Sequence, residues 1–153
     1  MKEPVQGSCG ICPASSRWIS VIDPDPMVRD MLRELLGELK AEVRTYEAAE
    51  PFLVALRGQL PTCLISEVRL PAMSGVALLR HLKSLGKAVP AILLATDPDV
   101  SLAVEIIKEG ALEFVEKPIV DDRIARLVSA LLSLEELRVA AQGKSRIPQR
   151  TGK

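Results

Sequence analysis

Five short strand-like runs alternate with five stretches of helical spacing, and few architectures accommodate that order. The runs are Trp18–Ile22, Glu42–Tyr46, Cys63–Glu67, Ala91–Ala95 and Glu113–Val115. The spacing of apolar residues predicts helices over roughly 26–40, 48–56, 75–85 and 100–109. A last helix is predicted to begin at Asp121 or Asp122 and to run to about Ala141. Strand then helix, five times over, implies parallel strands joined by right-handed crossovers. The expected fold class is therefore α/β, a (βα)5 doubly wound parallel sheet. In the flavodoxin-like strand order 2-1-3-4-5, strands one and three are neighbours at the switch point.

The third run anchors the rest. Cys63-Leu64-Ile65 reads as a strand buried on both faces, and it runs out on a carboxylate, Glu67. A loop containing Pro71 follows, and Ser74 is placed to cap a helix starting at Gly75. Asp23 and Asp25 follow the first strand, with Asp25 also positioned as a cap ahead of Pro26. Lys117 follows the fifth strand. Any one polar residue at a strand end is ordinary loop chemistry. Four of them at corresponding ends of a doubly wound sheet converge on one crevice, which is where such sheets place their ligands.

The chain has 153 residues, 48% of them hydrophobic and 26% charged, enough for one domain with a core. Lys plus Arg equals Asp plus Glu, 20 each, so no global field argues for nucleic acid or a lipid surface. No membrane span or signal peptide is expected, and the three cysteines point to a reducing cytoplasm. Residues 1–17 read as a flexible lead-in, 18–141 as the folded domain with a possibly extended last helix, and 142–153 as a basic flexible tail. The lead-in holds Cys9 and Cys12 in a Cys-x-x-Cys pair. Zinc wants four ligands, and the other candidates, Cys63 and His81, fall in a predicted core strand and on a predicted helix. A reduced, mobile pair is expected; a redox or metal switch is the alternative.

The segment Leu-Ile-x-Glu-Val-Arg-Leu-Pro-x-Met-Ser-Gly, from Leu64 to Gly75, resembles the phosphoacceptor segment of two-component response-regulator receiver domains. The likeness extends over about residues 18–132. It implies a pocket in which an acidic pair and the acceptor Asp hold magnesium. The acceptor takes a phosphoryl group from a histidine kinase, and a lysine pairs with the product. A Ser or Thr ending the fourth strand bonds the phosphoryl oxygens, and an aromatic on the fifth strand responds. Matched residue by residue, Asp23 stands for the first acid and Lys117-Pro118 for the lysine and its proline. Phe114 stands for the switch aromatic.

Three positions depart from that pattern. The second acid is Pro24, which has no ligand atom, with Asp25 one residue further on. The acceptor position is Glu67, one methylene longer than Asp. The Ser/Thr position falls on Ala95, and the neighbouring Thr96 is expected to point elsewhere because side chains alternate along a strand. Asp23, Asp25 and Glu67 are thus read as a remnant acidic pocket with magnesium binding weakened and no other cofactor implied. A Glu67–Lys117 pair is expected to survive; the longer acid places charge outward as an acyl phosphate does, but without a hydroxyl at 95 the relay to Phe114 is broken, so a locked state rather than an active mimic is expected. The expected function is a stand-alone, degenerate, non-enzymatic receiver acting by phosphorylation-independent contacts. A working phosphoacceptor is the alternative.

Surfaces would then carry the output. The fourth predicted helix is apolar on more than one side, Val104 and Ile107 included, and Ile124, Leu127, Leu131 and Leu134 form a short coiled-coil-like seam on the last. A homodimer or partner complex is expected through the fourth helix, fifth strand and fifth helix, with no DNA-binding domain present.

Overall fold

The structure, a computed structural model, describes residues 17–145. Its elements are β1 (Trp18–Ile22), α1 (Pro26–Leu36), β2 (Glu42–Tyr46), α2 (Ala49–Leu56), β3 (Cys63–Glu67), α3 (Gly75–Ser84), β4 (Ala91–Ala95), α4 (Val100–Lys108), β5 (Glu113–Glu116) and α5 (Arg123–Ser145). The five strands are parallel in the order β2-β1-β3-β4-β5, the flavodoxin-like arrangement expected from the alternation. Every residue of β1, β3 and β4 is buried, as strands covered on both faces must be.

Alternation along the strands splits the core in two. Ile22, Leu64, Leu93 and Ala95 face one side, where α2, α3 and α4 contribute Phe52, Leu78, Leu82 and Ile106. Ile19, Val21, Ile65, Ile92 and Leu94 face the other, against Leu32 and Leu36 of α1 and Ile124, Val128 and Leu132 of α5.

The caps follow the local chemistry. Asp25 accepts a hydrogen bond from Met27 N–H at the start of α1, Ser74 from Ala77 N–H at α3, and Asp99 from Leu102 N–H at α4.

Three boundaries differ from expectation. Helix α1 ends at Leu36 rather than near 40, because the chain turns through Gly37 to enter β2. Leu39 still packs on the core from that turn, which is why it kept the apolar spacing. Strand β5 includes Glu116, and α5 continues to Ser145.

The reading of α5 as a seam needs correction. Ile124 is fully buried against the sheet, and Leu127 and Leu131 are half-buried against the same cluster. The inward stripe is Ile124-Val128-Leu132, spaced by four, so these apolar residues belong largely to the core. Leu134 and Leu137 lie exposed further along the helix. Cys9, Cys12 and the basic residues Arg146, Arg150 and Lys153 lie outside the described residues.

Candidate functional site

The site is built at the C-terminal edge of the sheet, where β1 and β3 lie side by side. Their register pairs Ile22 with Ser66. One step further places Asp23 beside Glu67 across the switch point, the position at which doubly wound sheets carry their chemistry. The fifth strand supplies the third group. Glu116 pairs with Ala95, and Lys117 N–H donates to the Ala95 carbonyl at 2.8 Å, fixing Lys117 where β5 ends. The Lys117–Pro118 peptide is cis.

The three side chains meet. Lys117 Nζ lies 2.6 Å from Glu67 Oε1 and 2.7 Å from Asp23 Oδ2. Asp23 is fully buried and Glu67 is 6% exposed. The remaining carboxylate oxygens are held by the backbone: Asp23 Oδ1 accepts from Asp25 N–H at 2.9 Å, and Glu67 Oε2 from Arg69 N–H at 2.9 Å. Asp23 Oδ2 is buried, and the Lys117 ammonium is its close partner. Burial works against the charge on Lys117, but hydrogen bonding and attraction from Asp23 and Glu67 outweigh it and hold its pKa above the ordinary lysine value.

Other expected residues are placed as follows. Asp25 is exposed and turns its carboxylate to the first turn of α1, so it does not join Asp23 and Glu67. Pro24 is exposed beside it. Ala95 is buried in the cluster against α2, α3 and α4, and Phe114 packs half-buried on the same cluster. Thr96 is exposed. Glu67 does face Lys117, but its charge is not placed outward: the side chain is 7% exposed, with one oxygen on Lys117 and the other on Arg69 N–H.

Sequence reasoning missed three contributors. Arg29, on α1, donates to the Asp23 carbonyl at 2.6 Å. Arg69 contributes through its amide, which no side-chain pattern signals. Gly75 permits a close approach: a β-carbon there would lie 2.6 Å from the Glu67 carbonyl oxygen. A glycine at the first position of a helix, rather than after its end, was the available sign.

The description "Response regulator receiver domain" matches residues 19–129. The chain belongs to the response-regulator receiver family. FixJ of Bradyrhizobium diazoefficiens, a transcriptional regulatory protein, is 37% identical over 118 residues, covering 77% of this chain and 58% of that one. TodT of Pseudomonas putida, a response regulator protein, is 33% identical over 131 residues, covering 86% and 56%. This receiver therefore spans a little over half the length of those relatives. Among solved structures, the crystal structure described as FixJ-N superimposes with a TM-score of 0.68 at 32% identity, covering 77% of this chain and 94% of that one. Full-length FixJ from B. japonicum gives 0.70 at 34%, covering 85% and 64%. The family serves two-component signalling rather than catalysis. Among the described residues no helix is long and apolar enough to cross a membrane.

Receiver domains typically bind Mg2+, and the donor set here fits that ion poorly. Mg2+ demands octahedral oxygen ligation and keeps carboxylates as its protein anchors. Among the described residues no three acidic, His or Cys side chains are grouped to hold a metal. The two carboxylates that do converge already have a partner on each of their four oxygens.

Proposed function

We propose that this receiver is degenerate at its phosphoacceptor position and signals in the cytoplasm by protein contacts that do not depend on phosphorylation. The observation that carries this reading is the state of Glu67. One of its oxygens is on the Lys117 ammonium and the other on a backbone N–H. A nucleophilic carboxylate needs a free oxygen and cations to offset the transferring group's charge. Ala95 brings no hydroxyl to bond a phosphoryl oxygen, and Pro24 brings no metal ligand. Phe114 then has no polar relay to follow, so the domain holds one state.

The test is intact-protein mass after incubation with Mg2+ and a small phosphodonor, beside Glu67→Asp. No gain is expected on the wild type. A gain of one phosphoryl mass there overturns the reading and makes the chain a working phosphoacceptor that a histidine kinase charges. A gain on the variant alone places the block at Glu67.

The contact surface we propose is the α4-β5-α5 face. Val104 is 46% exposed and Ile107 60% exposed, and only Ile106 of α4 is fully buried. Monomeric proteins seldom leave such residues clustered without a partner. Light scattering across a concentration series checks this. A monomer at every concentration, with no change on Ile107→Asp, counts against self-association.

A further inference from the structure

We propose that the Lys117 ammonium is this pocket's resident cation, and that while it is present the pocket takes up no divalent ion. This deepens the reading of a degenerate site and rests on it.

The inference comes from counting oxygens. Asp23 and Glu67 bring four, and each already has a close partner. Oδ1 of Asp23 and Oε2 of Glu67 accept from the amides of Asp25 and Arg69. Oδ2 of Asp23 and Oε1 of Glu67 share Nζ of Lys117 at 2.7 and 2.6 Å. These lengths are those of tight charge-assisted contacts. An ammonium is a compact point charge, suited to the gap between two carboxylates. A hard divalent ion seeking the same two oxygens must displace it.

Displacement has little to drive it. The side chains that would add ligands are not in place: Pro24 carries no side-chain donor atom, and the Asp25 carboxylate caps α1. Lys117 is itself held on the strand by its N–H bond to the Ala95 carbonyl, and its side chain is only 15% exposed. An ammonium pushed off the carboxylates would lose two charge partners in a largely buried site. Two carboxylates and one ammonium leave one net negative charge. A dication beside the lysine would invert it, with no third acid to balance.

Calorimetric titration of the full chain with MgCl2, and thermal melting in Mg2+ against EDTA, test the proposal. For the wild type, no saturable heat and a melting temperature unchanged within about 1 °C are expected. Saturable binding with a Kd on the order of 1 mM or tighter overturns it. Lys117→Gln removes the charge and keeps a hydrogen-bonding group. It is expected to melt lower in EDTA and to gain Mg2+ binding, read as a melting temperature that rises with metal. If that variant is unfolded in EDTA, Mg2+ is expected to restore its fold. A folded variant that ignores Mg2+, or an unfolded one that Mg2+ does not restore, overturns the assignment.

The two readings fail separately. A wild type that binds Mg2+ yet gains no phosphoryl mass removes the resident-cation assignment and leaves the degenerate site. A wild type that gains phosphoryl mass in EDTA removes the degenerate site and leaves the lysine as the cation.

Discussion

Gly75 is pressed against the carbonyl of Glu67: a β-carbon at 75 would come within 2.6 Å of that oxygen and 3.2 Å of the Val68 Cα. The N–H of Gly75 also donates to the Val68 carbonyl at 2.8 Å. The start of α3 is thereby locked to the end of β3. The contact is backbone on backbone, so no side chain can rotate away to make room.

Gly75→Ala is therefore expected to destabilise the domain by about 1–3 kcal/mol, the usual cost of forcing an extra carbon into a packed site. Urea denaturation checks it. A loss below about 0.5 kcal/mol would show that the β3–α3 junction yields more easily than its packing implies.

Lys117→Met is expected to cost roughly 3 kcal/mol, since removing one partner of a buried ionic cluster leaves charge uncompensated. The pH dependence follows from the raised pKa of this lysine. A group whose folded pKa lies above its unfolded value contributes fully below the unfolded pKa, ordinarily 10.5, and loses that contribution as pH rises through the folded one. The stability gap between wild type and Lys117→Met should be flat on the alkaline side from about pH 7 to about pH 9 and should close above the ordinary lysine range. A gap that closes already near pH 8 would contradict the triad.

Leu132 and Leu134 make a paired test of how α5 lies. Leu132 is buried on the sheet, whereas Leu134 is 60% exposed. Leu132→Ala is expected to cost about 2–4 kcal/mol, and Leu134→Ala within about 0.5 kcal/mol in dilute protein. Chemical denaturation at low concentration reads both. Equal losses would mean that the helix is rotated from the packing described.

Cys63 is buried at the start of β3, and burial alone pushes its thiol up to about 12. The thiol is then neutral at physiological pH and inert. Peptide mapping after iodoacetamide treatment of the native protein should find Cys63 unmodified, and modified once the protein is unfolded in urea.

Much of this was legible in the residues. Strands β1 to β4 start and end where the expected strand-like runs do, and Asp25 and Ser74 announce two helices by capping chemistry. The convergence of Asp23, Glu67 and Lys117 followed from strand order alone. What was not legible depended on direction. Periodicity gave α5 apolar residues on two flanks and did not say which faces the sheet, so Ile124 was assigned to a surface when it belongs to the core. The acidic character of Asp25 was plain, but its choice between pocket and cap is decided by a side-chain torsion. That Asp23 shares Lys117 equally with Glu67, and that the amides of Asp25 and Arg69 take the other oxygens, is backbone geometry and leaves no mark on composition or spacing.

The sharing of one ammonium by two interior acids ties two kinds of failure together. Whatever frees Asp23 and Glu67 for chemistry also removes what makes them tolerable inside the sheet edge. A change at Lys117 therefore acts at once on the charge of both acids and on the stability of the sheet edge.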